Sequence, residues 1–220
     1  MATVRKWSNV AVAMQSALAA AKTITAITKA SPGVVTATTH GYANGDYVLL
    51  TVVGMFQLNG RVFRVCAVSG DNFGLEDVSS GIGISTASFD TFTSGTAEKI
   101  TFGNSITTAT DINASGGEIE FIDTTTIHSN VRTQIPGASS PAVYTFNNLW
   151  DVTDAGLIAM KAAYDTQAQR AFLFTFGTGG PKMAFAGFVG ATLLPTGSAQ
   201  DKIVTPASIT MYGSPSYYSA

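Results

Sequence analysis

The sequence predicts a mainly-β chain of the α+β class, dominated by antiparallel sheet and carrying one α-helix. Three observations lead there. Short runs of Val, Ile, Phe and Thr recur along most of the chain with the two-residue alternation of half-buried strands. Asn44-Gly45, Asn59-Gly60 and Asp71-Asn72 punctuate these runs as turns. Only one segment, residues 151–170, has helical periodicity instead.

The elements follow in order. Val10, Val12 and Met14 alternate with alanines, which fits a strand. Val10, Met14, Ala17 and Leu18 would also share a helical face; pattern favours the strand, alanine propensity the helix. From Lys22 to Glu98 the texture is β in short pieces: ITAITKA, VVTATTH, YVLLTVV, RVFRVCAVS and DNFGLEDV. Five or six short strands in this stretch make a small β-module. The Ser/Thr/Gly-rich stretch 79–97 reads as a surface loop or exit linker.

A second β region opens with KITFGNSI, continues with GEIEFIDTTTI, and includes PAVYTFNNLW. In the helical segment Leu157, Met160, Lys161 and Tyr164 fall at i, i+3, i+4 and i+7, with Lys161 snorkelling at the edge of the stripe. Thr153 is placed to cap its first turn and Asp154 to suit its dipole. A hairpin follows, with Phe172, Phe174 and Phe176 on one strand and Met183, Phe185 and Phe188 on the other, around the turn GTGGP. The last strand is KIVTPASITMYG, ending in a Tyr/Ser tail.

Composition narrows the function. Hydrophobic residues make up 45% and charged residues 12% of the 220, about half the usual charged share. Thr, Ser, Gly, Asn and Ala must therefore cover much of the surface, as in a chain covered by copies of itself. The net charge is −2 and no Lys/Arg cluster stands out, which argues against gripping a phosphate backbone. One cysteine, Cys66, allows no intrachain disulfide and no thiolate zinc site; it reads as a small buried apolar residue. The Ala-rich N-terminus imitates a signal peptide, but Ser8, Asn9, Gln15 and Ser16 interrupt it. No run approaches the ~18 apolar residues of a membrane span, so a soluble protein without a membrane partner is expected.

Asp123, His128 and Ser129 lie close together in IDTTTIHSNVRTQIPG, but no G-x-S-x-G elbow surrounds Ser129. Adjacent side chains on an extended backbone also point apart, so His128 and Ser129 are badly placed to share a proton. His40, before GYANGD, has no further ligands at metal spacing and reads as a turn histidine. FGTGGPK resembles a phosphate loop, but Met183 stands where a hydroxyl is needed and both flanks are strands. Glu118 and Glu120 share a strand face, solvated or paired across a subunit contact. No catalytic constellation and no cofactor are expected, and an enzyme is the most distant reading.

The order of motifs in the second region carries a resemblance. GEIEFIDTTTIHSNVRTQIPG, PAVYTFNNLWDVTDAGLIAMKAAY, AFLFTFGTGGPKMAFAGFVGATLL and DKIVTPASITMYG together resemble the major tail tube proteins of long, non-contractile-tailed bacteriophages. The resemblance covers roughly residues 1–20 and 99–220. It implies an antiparallel β-sandwich or partial barrel flanked by one helix, formed by residues 1–21 and 99–220, with 22–98 as an inserted small all-β domain. THGYANGDYV and QLNGRVFRV in that insert are similar to the small β-module of phage structural proteins and to a half-domain of ubiquitin-activating enzymes. This implies shape rather than activity.

The implied function is structural. Copies would join edge to edge into hexameric rings stacked as a hollow tail tube, through which genome DNA passes without specific binding. Tail terminator, tape-measure and tail-tip proteins would be further partners, in the virion and, during assembly, in the host cytoplasm. Residues 123–137 would form a long loop to a neighbouring subunit, with Thr124, Thr125, Thr126, His128, Asn130, Arg132, Gln134 and Pro136 as contacts. The alternative is a carbohydrate- or host-surface-binding tail module with 22–98 as binder. Glycan arrays and deletion of the module separate the two.

Overall fold

A computed structural model describes residues 9–76, 78 and 83–219. The basic residues of the N-terminus, 1–8, and the Ser/Gly run 79–82 lie outside the described residues. In chain order the strands are β1 (Val10–Leu18), β2 (Lys22–Ile24), β3 (Ala26–Ile27), β4 (Val34–Thr36), β5 (Tyr47–Val53), β6 (Val62–Ser69), β7 (Asn72–Leu75), β8 (Ser94–Ile106) and β9 (Ala109–Ser115). Then come β10 (Ile119–Asp123), β11 (Gln134–Ser139), β12 (Val143–Leu149), helix α1 (Ala155–Thr166), β13 (Arg170–Phe176), β14 (Lys182–Gly190) and β15 (Val204–Tyr218).

Thirteen strands form one sheet in the order β3-β4-β7-β6-β5-β8-β1-β13-β14-β15-β12-β9, with β2 also on β8. The protein is thus mainly β, an antiparallel sheet curled into a half-barrel with one helix. β10 and β11 pair only with each other.

β1 settles as a strand because it is paired on both sides. Val12 lies opposite Phe174 on β13 and Ile106 on β8, and this tertiary pairing overrides alanine's helix preference. A bulge at Gln15 interrupts the β8 pairing, and the buried Gln15 side chain accepts from Ala171 N–H at 3.0 Å.

Two large apolar clusters fill the fold. One gathers Met14, Phe146, Phe172, Phe174, Phe185 and Ile209 beneath Leu157, Met160 and Ala163 of α1. The other runs from Ile24 to Ala97 and includes Leu50, Met55, Phe63 and Phe73. A third, smaller cluster sits between them, where Tyr47, Val62, Ile100, Ala184 and Tyr218 meet. β8 is common ground, pairing with β5 through residues 94–100 and with β1 through 100–106.

Several sequence expectations are corrected. Asp154, not Thr153, caps α1: its carboxylate accepts from Leu157 N–H at 2.9 Å, while Thr153 donates to Asp151. Tyr164 is exposed rather than on the buried stripe, and Lys161 pairs with Asp165 one turn on. Phe188 lies on the opposite face from Met183 and Phe185, because strand parity puts 183, 185, 187 and 189 together; it is exposed against Tyr212. The stretch 83–97 is not merely a linker. Thr86 is buried, its hydroxyl donating to Thr28 O at 2.6 Å, and β8 begins at Ser94. The Tyr/Ser tail is also ordered, since β15 continues to Tyr218, which is buried in the third cluster.

Candidate assembly interface

The candidate site grows from the end of the sheet. Among the described residues β9 is the terminal strand and pairs on one side only, with β12, which leaves its other edge without a strand partner there. Between β9 and β1 the half-barrel stays open as a groove of about 570 Å³, lined by Val10, Val12, Ile106 and Ile112 among others.

Beyond the Ser115–Val143 pair the two strands leave the sheet. Gly116 and Gly117 both hold positive φ, +78° and +80°, and a Cβ on Gly116 would sit 2.3 Å from the Pro141 carbonyl oxygen. Glycine is therefore required where the chain bends away. The continuation is a separate hairpin of β10 and β11, with Ile122 opposite Ile135 and Asp123 opposite Gln134. Pro136 stands opposite Phe121 beside a register shift, as suits a residue with no N–H for the ladder. The long loop expected at 123–137 is therefore partly a return strand, which alternation did not reveal because 134–139 reads QIPGAS.

Every residue from 113 to 136 is exposed. This arm touches solvent on both faces, although a free two-stranded hairpin is marginal in water. Its tip satisfies its own polar groups. Thr124 N–H donates to Thr133 O at 2.9 Å, Thr133 N–H to Thr125 Oγ1 at 3.1 Å, and Ser129 N–H to Thr126 O at 3.0 Å. Its apolar groups have no such internal solution. Ile127 is 97% exposed and Val131 70%, and Ile119, Phe121, Ile122 and Ile135 are also exposed along the stem.

The eight contact residues expected from sequence all lie on this arm: Thr124, Thr125, Thr126, His128, Asn130 and Arg132 at the tip, Gln134 and Pro136 on β11. Thr124 and Thr125 also brace the tip itself. The sequence reading missed the exposed isoleucines, Phe121 and Val131, which read as ordinary strand residues until their lack of cover is seen.

Two members of the catalytic-looking triplet, Asp123 and Ser129, have local roles, while His128 is exposed at the tip. Asp123 accepts from Thr125 N–H at 2.8 Å, and Thr125 holds its carboxyl below the usual range. Ser129 Oγ donates to the Val131 carbonyl at 2.7 Å. His40 follows the turn at 38–39 and is buried against Tyr42 and Phe73. Its Nδ1 accepts from Tyr42 N–H at 2.9 Å, so Nε2 carries the proton and faces Gly70 O at 3.1 Å. Among the described residues no three His, Cys, Asp or Glu side chains gather as a metal site, and no helix is long and apolar enough to cross a membrane. FGTGGPK is the β13–β14 turn.

A family model for phage tail tube proteins (TTP) matches residues 53–220, from the end of β5 through the arm, α1 and the final strand. The chain belongs to the phage tail tube protein family. No curated protein matches it. As a tail tube protein it is a structural component of the virion tail, of a family that self-assembles into a tube with other tail proteins. The exposed arm and the free β9 edge fall within the matched residues.

Proposed function

We propose that this tail tube protein builds the wall of a hollow conduit for phage DNA, as hexameric rings stacked end to end. The observation that carries this reading is the arm, a hairpin whose six large apolar side chains are uncovered in the single chain. An apolar surface of that kind marks an interaction site. In this account the free edge of β9 takes a strand of the neighbouring subunit within a ring, and the arm reaches the next ring. The contacts include Thr124, Thr125, Thr126, His128, Asn130, Arg132, Gln134 and Pro136.

The low charge and the absence of a Lys/Arg cluster support a lumen through which DNA slides without sticking. Residues 1–21 and 99–220 form the tube domain, and the inserted domain 22–98 decorates the outside. Tail terminator, tape-measure and tail-tip proteins meet the tube's ends and interior, with assembly in the host cytoplasm. Negative-stain microscopy of the purified chain across a concentration series tests the proposal. Hollow tubes with six-fold end views are expected; a species that stays monomeric at high concentration, alone and in the virion, overturns it.

A further inference from the structure

At the far end of β12 from the arm lies a second apolar surface. Leu149 ends that strand, Trp150 and Val152 follow it, and Leu194 and Ile203 lie beside them through the Trp150 hydrogen bonds; all five are exposed, Leu194 at 65%. Hydrogen bonds hold the patch in one arrangement. Trp150 N–H donates to Ile203 O and its indole Nε1–H to Leu193 O, both at 3.1 Å, so the ring presents its hydrocarbon surface outward. Thr196 and Val204 exchange backbone hydrogen bonds at 2.8 and 2.9 Å beside it. Leu193 holds φ of 55°, a region L-residues rarely adopt, just before the exposed Leu194.

The arm leaves the sheet at Val143 and the patch begins at Leu149, six residues along the same strand. At ~3.4 Å per residue the two surfaces root about 20 Å apart, at opposite ends of one strand. One copy's arm set on the next copy's patch would cover both surfaces at once. A contact between two different surfaces at opposite ends of one subunit is heterologous, head to tail, and runs on as a filament unless its rotation closes a ring. Charge fits the same partner. The tip, 124–133, carries Arg132 and no carboxylate, whereas Asp151 and Asp201 flank the patch with Lys202.

We infer that the patch of Leu149, Trp150, Val152, Leu194 and Ile203 receives the arm tip, Ile127 and Val131, of a second copy of this chain in the next ring. The inference rests on the arm being an assembly contact, as proposed above, and adds the surface that accepts it.

Two variants and their mixture test it: Ile127→Asp with Val131→Asp on the arm, and Leu194→Asp with Ile203→Asp on the patch. All four positions are exposed, so unchanged melting and circular dichroism are expected. Each variant alone should lose tubes under the microscope. Mixed in equal amounts, they should make one junction only, a species of twice the mass of either variant alone. Normal tubes from the patch variant overturn this inference and leave the arm's role standing. Normal tubes from the arm variant overturn the arm's role itself. Failure of both with no doubled species in the mixture shows that the two surfaces do not meet, and also overturns it.

A second measurement covers early melting of either aspartate variant. Ile127→Cys carrying a thiol-directed photo-cross-linker should capture peptides from 149–152 or 193–203 of a neighbour. Cys66 is buried with its thiol pushed up to about 11, so it stays unlabelled. Capture confined to other peptides contradicts the contact.

Discussion

Tyr218, the last residue of β15, locks the C-terminus onto β6. Its hydroxyl accepts from Arg64 N–H at 2.9 Å and lies 3.3 Å from the Val62 carbonyl, to which it donates. The Arg64 guanidinium sits over its ring, 4.9 Å from the centroid, and forms a two-pronged ion pair with Glu76. That pair is mostly out of water, so Glu76→Ala leaves a buried charge uncompensated and should cost about 3 kcal/mol in urea unfolding. Tyr218→Ala should cost about 4 kcal/mol, because a large buried ring leaves a cavity. Alkaline pH should weaken the same fold. Burial, aided by Glu98 and Asp46, pushes the Tyr42 hydroxyl from 10.0 up to about 12, and burial pushes the Cys66 thiol from 9.0 to about 11. The native state keeps these protons after the unfolded chain has lost them. Their stabilisation is therefore full below about pH 9 and drains away as pH rises toward 12, so the urea midpoint should hold at neutral pH and fall above pH 9.

Among the elements, α1 and the arm show what local sequence can reveal. The helix is legible from its period, but the cap expected at Thr153 is not the one used, and only the turn geometry assigns that role to Asp154, which accepts from Leu157 N–H. Asp154→Ala should cost about 1 kcal/mol in the same unfolding measurement. The strand 182–190 is legible as well, and its alternation, three residues on from Phe185, puts Phe188 on the outer face. In the arm the sequence suggested a strand running into a contact loop. It did not disclose that the apolar residues of that strand lack cover, because alternation looks alike whether or not a partner face is present. Gly116 sets the arm's departure angle. Gly116→Val should displace the arm through the clash with Pro141, leave the melting temperature close to normal, and reduce tube yield in sedimentation.

For the whole molecule, the mainly antiparallel class and its single helix could be read from turn spacing and periodicity. The continuity of the sheet could not, since pairing β8 with β5 on one length and β1 on another joins residues far apart in sequence. The buried tail escaped for the same reason: Tyr218 gains its cover from residues 47–64, more than 150 positions away. The central claim concerns the exposed arm. Shortening residues 125–135 and imaging the purified protein by negative stain tests it most directly. The account predicts a folded, normally melting protein, as subunits or single rings, that builds no tubes; tubes of normal length from that variant would contradict it.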